Sequence, residues 1–281
     1  AGIFRQAFLI AKSGRPGPVL IDIPKDITAQ MCEFTPLSKG ETGVSALIKD
    51  NANFKRVLES AEPSPEEIIK AAQIINSSKR PVIYAGGGVK ISNAEQELLA
   101  LAEKACIPVA ESLMGRDVFP ANHKLCTWMV GMHGTRASNM AITESDLVLA
   151  LGARFSDRVI GDPKTFAKNA IVFHIDIDPA EINKNIPAGG QLVGDIKTIL
   201  QKLLPLIEKN SHEQWLKQID EWKTEVPPSY SEVKKDYVNP KYMLEAVHKH
   251  AGDNAFITTE VGQHQMWTAQ FYPFMKPRTF I

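Results

Sequence analysis

Residues Leu147 to Asp178 read LVLALGARFSDRVIGDPKTFAKNAIVFHIDID, and this stretch decides the fold. Leu147 to Leu151 is an unbroken apolar run, which suits a strand buried on both faces of a parallel sheet. Gly152 ends it, and small or charged residues follow: Ala153, Arg154, Ser156, Asp157 and Arg158. A second apolar run, Ile171 to Ile177, carries the acids Asp176 and Asp178 at its end. In open α/β sheets, ligands lie beyond the carboxyl ends of strands, where backbone approaches closely and helix N-termini favour phosphate. One strand end thus offers a glycine and two arginines, and the next offers carboxylates able to accept from ribose hydroxyls. Those are the parts of half a dinucleotide site, although no G-x-G-x-x-G is present. An ordinary strand-turn with a surface ion pair, Asp157 neutralising one arginine, accounts for the same residues.

Working outward, the same rhythm recurs on both sides. Ser64-Pro65-Glu66-Glu67 is a capping box with proline at the first helical position, and Ile68, Ile69, Ala72 and Ile75 form the apolar stripe behind it. Strand Val82 to Ala85, the triplet Gly86-Gly87-Gly88, a capping box at Ser92 with Glu95, and a helix carrying Leu98, Leu99, Ala102 and Ala105 come next. Strand Ile107 to Ala110 closes that unit. Cys126 to Val130 is a strand and Thr135 to Thr143 a helix. Asp178-Pro179-Ala180-Glu181 is a third capping box, Gln191 to Val193 a sixth strand, and Asp195 the cap of a helix over Ile196 to Ile207. Strands alternating with helices at this spacing predict a doubly wound, mainly parallel α/β sheet of six strands.

The flanks are less regular. Phe4 to Ala11 reads as a helix and Val19 to Ile23 as a short buried-type strand closed by Pro24. Thr28 to Pro63 is polar and mixed, a linker with a helix around Val44 to Leu58. Trp215 and Trp222 are spaced for one amphipathic face, which points to core packing ahead of a ligand box. A helix from Asn239-Pro240 to Ala251, a strand over Ala255 to Thr258, a helix following Glu260 to His264, and the start of a strand at Thr279 to Ile281 complete the chain. It begins with Ala1 inside a helix, so both ends are expected to fall inside domains.

Composition narrows the function classes. Thirty-two basic residues balance 32 acidic ones, with no block of like sign, so no field recruits nucleic acid or anionic lipid. No apolar run nears the roughly 18 residues of a membrane span. The three cysteines, Cys32, Cys106 and Cys126, are scattered, which fits a reducing compartment, the cytoplasm or an organelle matrix. Gly86-Gly87-Gly88 permits close approach of a ligand or phosphate, or simply a flexible turn. Gly131-Met132-His133-Gly134-Thr135 places His133 beyond a strand end, as a site histidine or a solvated one, and Thr135 as an N-cap. No second histidine stands at metal-ligand spacing from His133.

Together these motifs carry a resemblance. SGRPGPVLIDIPKD, GMHGTRASNMA, LGARFSDRVIG, HIDIDPAEINKN and VGQHQMWTAQFY are similar to the middle half of the catalytic subunits of the acetolactate synthase (acetohydroxyacid synthase) family, thiamine-diphosphate enzymes. Glyoxylate carboligase and pyruvate oxidase share some of them more loosely. The resemblance implies a Rossmann-like central domain that binds FAD over residues 35–208. The end of a pyrimidine-binding domain would occupy 1–34, a linker 209–238, and the start of a diphosphate-binding domain 239–281. Carried over by motif, Arg15, Gly86, Gly87, Gly88, Ser112, Leu113, Met132, His133, Gly134, Thr135, Gly152, Ala153, Arg154, Arg158, Asp176 and Asp195 would contact FAD. Val261, Gly262, Gln263 and His264 would meet thiamine diphosphate, and Lys25 with Arg158 the substrate channel. Ser156 departs from the family, where many relatives carry a second aspartate.

The family decarboxylates pyruvate and joins the hydroxyethyl unit to pyruvate or 2-oxobutyrate, toward branched-chain amino acids. Its activating glutamate and its Mg2+-binding Gly-Asp-Gly…Asn run are not within these 281 residues. The resemblance therefore implies no catalytic residue here, no metal ligand, and a segment inactive by itself. The parent would be a homodimer or larger, with a regulatory small subunit. A non-catalytic nucleotide-binding module is the alternative of another class.

Overall fold

A computed structural model of the chain describes residues 2–31, 33, 62–224 and 238–281. Two units, Ala1–Ala61 and Glu62–Ile281, are distinct. The first contains helices α1 (Gly2–Lys12) and α2 (Lys25–Thr28). The expected strand at Val19 to Ile23 does not form among its described residues, and Leu20 is 93% exposed. An apolar run becomes a strand only when its backbone groups find a partner, and no described residue of this unit supplies one. The helix expected around Val44 to Leu58 lies outside the described residues.

The second unit is built on six parallel strands: β1 (Pro81–Ala85), β2 (Val109–Glu111), β3 (Cys126–Met129), β4 (Leu147–Leu151), β5 (Ile171–Asp176) and β6 (Gly190–Val193). Their order is β3-β2-β1-β4-β5-β6, the doubly wound arrangement the alternating pattern predicts. β1 and β4 pair in register from Pro81 with Leu147 to Ala85 with Leu151, and every residue of both is buried. Alternation sends Ile83, Ala85, Leu147, Leu149 and Leu151 to one core, and Val82, Tyr84, Val148 and Ala150 to the other. This is why both strands read as unbroken apolar runs.

Helices α3 (Pro65–Ser77), α5 (Glu95–Ala105) and α8 (Ile196–Leu203) cover the first face. Ser64 and Glu67 form the predicted capping box, with Ser64 N donating to Glu67 Oε2 at 2.8 Å. The buried stripe runs through Ile68, Ala71, Ala72 and Ile75, whereas Ile69 is exposed. The short helix α4 (Gly87–Ile91) precedes α5 and displaces the predicted box at Ser92. Ser92 ends α4 with helical dihedrals, so Ala94 becomes the N-cap of α5. The Ser92 hydroxyl instead donates to Asp195 Oδ2 at 2.7 Å. Asp178 to Glu181 likewise forms turns and no helix. A capping box needs a helix behind it, and Asp178 Oδ1 accepts from Ala180 N at 3.0 Å in a local turn.

The opposite face packs on α6 (Arg136–Glu144) and α9 (Glu213–Thr224). Trp215 and Trp222 are buried core residues in edge contact, 5.7 Å between ring centroids. Trp215 Nε1 also donates to Pro81 O at 2.9 Å, tying α9 to the start of β1. Trp215→Phe keeps an aromatic ring in the core but trims the indole and leaves that buried carbonyl without its donor. Its expected cost is about 1–2 kcal/mol, read as a lower urea midpoint at unchanged m-value.

Residues from α10 (Pro240–Ala251) and α11 (Gln263–Phe271) form a third core with Met129 of edge strand β3, Tyr272, Phe274 and Phe280. The expected strand at Ala255 to Thr258 is reduced to one parallel bridge between Ile257 and Phe280. Two isolated segments cannot extend a ladder further without neighbours. Among the described residues, no helix is long and apolar enough to cross a membrane.

Candidate functional site: the crevice at the switch point

β1 stands where the strand order reverses, so the loops after β1 and β4 leave the sheet side by side and part. Their backbones are knitted by Gly86 N donating to Leu151 O at 2.9 Å and Gly88 N donating to Gly152 O at 3.0 Å. A Cβ on Gly86 would stand 2.1 Å from Gly152 O, and one on Gly88 2.6 Å from Gly152 Cα. Two of the three triplet glycines are thus required by loop-on-loop packing, and Gly152 adds a φ of +54°. Gly87 is the member that faces outward, onto a crevice of about 420 Å³.

That crevice gathers residues from the loops after β1, β2, β3 and β4. Gly87 comes from the β1 loop, Ser112 and Leu113 from the β2 loop, and Met132 and His133 from the β3 loop. Gly152, Ala153, Arg154 and Arg158 come from the β4 loop, and Val261 from the segment before α11. The glycine triplet, histidine loop and twin arginines therefore share one rim. Ser156, already noted for its departure from the family, lines it too, and Tyr84, Met114, Met129, Val130, Val159, Gln265 and Met266, which sequence reasoning did not single out, complete the lining. Apolar floor and basic rim give the crevice two characters. Burial pushes the Tyr84 phenol above its ordinary range, against the pull of nearby Arg154, so it stays a neutral donor.

The histidine loop is held from behind. Asn139 on α6 accepts from Gly131 N at 2.8 Å and donates to Gly131 O at 3.0 Å. Gly131 has a φ of +112°, and a Cβ there would meet Arg158 O at 2.6 Å. Met132 N in turn donates to that Arg158 carbonyl at 2.8 Å. The β3 and β4 loops are therefore tied together. Thr135 caps α6 as expected, accepting from Ser138 N at 3.1 Å. The His133 side chain is exposed, while its carbonyl accepts from Gln270 Nε2 of α11 at 2.8 Å.

Both arginines are exposed, Arg158 on the short helix α7 (Asp157–Ile160). The nearest Asp157 oxygen lies 3.9 Å from Arg158 Nε, in a pair exposed on both sides. Such a contact contributes little and leaves the guanidinium available to an anion.

Other predicted residues stand apart from the crevice lining. Gly134 and Thr135 line a neighbouring cleft with Trp128, Trp222 and Gln270. Asp195 caps α8 through Thr198 N at 2.9 Å while its second oxygen takes the Ser92 hydroxyl. Asp176 Oδ1 accepts from Asp178 N at 2.9 Å, and Oδ2 lies 3.7 Å from His174 Nε2. Gly262, Gln263 and His264 sit at the start of α11, beside Val261. Arg15 and Lys25 are exposed residues of the separate N-terminal unit. Among the described residues, no three or more of His, Cys, Asp and Glu are grouped as a metal site.

A buried charge cluster beside the crevice escaped the sequence reading altogether. Glu111 and Arg116 pair at 2.6 Å with both side chains at 0% exposure. The guanidinium lies over the Trp128 ring, 4.3 Å from its centroid. Burial pushes the Glu111 carboxyl up to about 8, opposed by Arg116 and by the Phe119 N–H. Asp117 accepts from Thr279 N and Phe280 N at 2.8 and 2.9 Å, with Lys90 Nζ at 2.5 Å from its other oxygen. Only the clustering of charges in ESLMGRD, between apolar runs, hints at this in the sequence.

Comparison with known proteins agrees with this architecture. Residues 68–203 match the family described as "Thiamine pyrophosphate enzyme, central domain". Over 291 aligned residues the chain is 44% identical to the "Probable acetolactate synthase large subunit" of Methanocaldococcus jannaschii, covering 99% of this chain and 47% of that protein. It is 38% identical to the "Acetolactate synthase large subunit" of Buchnera aphidicola subsp. Schizaphis graminum, over 99% of this chain and 48% of the relative. Identity is 40% to the protein of the same name from Corynebacterium glutamicum, over 98% and 43%. The chain spans about half the length of the curated relatives it matches. With its six-stranded sheet and switch-point crevice, the region of residues 68–203 belongs to the thiamine pyrophosphate enzyme central-domain family, within a chain similar throughout to acetolactate synthase large subunits.

Proposed function

We propose that this chain is part of the catalytic subunit of an acetolactate synthase, whose whole protein decarboxylates pyruvate and transfers the hydroxyethyl unit to pyruvate or 2-oxobutyrate. The observation that carries the reading is the convergence of Gly87, Met132, His133, Gly152, Ala153, Arg154 and Arg158 on one crevice at the switch point.

The crevice suits FAD by its chemistry. Arg154 and Arg158 would hold the diphosphate, since guanidinium groups bind it bidentately. Leu113, Met114, Met129 and Met266 offer soft apolar surface to a flat ring system. Asp176 and Asp195 would lie toward the adenosine side, and Arg15 would also contact FAD. Val261 to His264 would meet thiamine diphosphate, and Lys25 with Arg158 would line the path of the 2-oxoacid. When bound with Mg2+, thiamine diphosphate supplies the electron sink for decarboxylation. The residues of this chain position the groups, exclude water with the apolar floor, and offset negative charge with the arginines. The catalytic glutamate and the metal ligands would come from sequence outside residues 1–281. The domain limits would be 1–34, 35–208, 209–238 and 239–281. The parent would assemble as a homodimer or larger with a regulatory small subunit, in the cytoplasm or an organelle matrix.

The test uses the full-length protein. Arg154→Ala and Arg158→Ala should each weaken FAD about tenfold, the effect of losing one charge-assisted pair worth about 1.4 kcal/mol. Acetolactate formation from pyruvate should require thiamine diphosphate and Mg2+. Residues 1–281 alone should form none. Flavin affinity unaltered by either substitution, or acetolactate made by the 281 residues, would overturn the assignment.

A further inference from the structure

The Glu111–Arg116–Asp117 cluster has no place in the proposed chemistry, yet it buries charge at a high desolvation cost. Its partners say where it acts. Arg116 reaches beyond the sheet to α11: its Nε donates to Ala269 O at 2.8 Å and its Nη2 lies 3.5 Å from Tyr272 O. Those carbonyls belong to the last turn and cap of α11, where orphan acceptors and the negative end of the helix dipole favour a cation. Glu111 Oε2 accepts from Nη1 at 2.6 Å, and the guanidinium also lies over the Trp128 ring and 5.6 Å from the centre of the Phe274 ring. Asp117, the next residue, takes Thr279 N and Phe280 N, the backbone that bridges Ile257. Two consecutive side chains thus bind two separate points of the 263–281 segment.

The opposite end of α11 begins beside Val261 and carries Gln265 and Met266, which line the crevice. A nine-residue helix pinned at its C-terminal end is a short lever, and its N-terminal end follows wherever the pin sits. We infer that Arg116, oriented by Glu111, is a positioning residue that sets where the N-terminal end of α11 stands in the crevice. Its effect on ligand rests on the function proposed above, whereas the docking itself does not.

The test uses the full-length protein with Arg116→Met, and with the double variant Glu111→Leu/Arg116→Met. The double variant removes both charges without orphaning either, so it folds even where the single variant does not. Amide hydrogen exchange should quicken at least tenfold in residues 263–281 of the double variant while the amides of β1 and β4 keep their protection. Glu111→Gln should loosen the same segment less. In the same double variant the thiamine diphosphate concentration for half-maximal activity should rise several-fold with kcat nearly unchanged. Exchange in 263–281 equal to the parent, or quickened equally across the sheet, overturns the inference, and so does an unchanged thiamine diphosphate requirement beside a loosened α11. A parent protein without acetolactate synthase activity would sink the functional proposal and leave the exchange result to decide this one.

Discussion

Gly86→Ala should cost about 3 kcal/mol, the upper end of overpacking penalties, and give little soluble protein. A methyl group there falls 2.1 Å from Gly152 O and 2.5 Å from Ala153 Cα. Both obstacles are backbone, and Gly152 is itself fixed by its N–H donating to Ile175 O at 2.8 Å and by pairing with Gly88. No rotamer change can relieve the clash, so β4 must slide or the loop must open. Gly17→Ala is the control, since nothing lies within 4 Å of its added Cβ. Chemical denaturation of both variants checks the prediction. A Gly86→Ala protein with the parent midpoint would mean that the β4 loop yields freely and that the packing of the triplet is incidental.

Arg116→Ala should cost about 3–5 kcal/mol, because it strands a carboxyl in a fully buried site. The sign of its pH dependence follows from Glu111. Burial raises that carboxyl above its ordinary 4.5 even with Arg116 in place, and Arg116 is among the groups holding it down. In the variant the folded state keeps the Glu111 proton while the unfolded state releases it near the ordinary value. A group with a raised folded pKa stabilises fully below its unfolded pKa and loses that contribution as pH climbs toward its folded pKa. The parent loses the same contribution up to its own folded value of about 8, so the penalty should grow above it and be larger at pH 9 than at pH 7. Urea midpoints at the two pH values measure it, and a penalty that shrinks with rising pH would rule out the stranded carboxyl as its cause.

Much of the fold was legible because parallel strands buried on both faces write themselves as uninterrupted apolar runs. Leu147 to Leu151 and Val82 to Ala85 announce themselves in this way, as do the caps Ser64, Thr135 and Asp195, each aided by a local hydrogen bond. What was not legible depends on partners remote in sequence. Val19 to Ile23 has strand composition but no described strand partner. Ser92 with Glu95 satisfies the capping pattern, yet the preceding turn of α4 takes Ser92 first, and Asp195, 103 residues away, engages its hydroxyl. The crevice residues were readable as loop chemistry at strand ends. That Gly86 and Gly88 also pack against the β4 loop could be known only once Gly152 was seen to cross beside them. Glu111 and Arg116 look like a solvated pair in sequence, because no local periodicity reveals that α11, about 150 residues later, covers them.

The central pairing of β1 with β4 has a kinetic meaning. The two walls of the crevice, Gly87 and Gly152, are far apart along the chain and meet only when Pro81 to Ala85 registers against Leu147 to Leu151. Loop-closure entropy makes such non-local pairing a slow event in folding. No partly ordered intermediate that lacks this pairing can hold a ligand between those walls. Nucleotide added during renaturation would then leave the early collapse untouched and reward only molecules that have joined the two halves of the sheet, acting by mass action on the finished state.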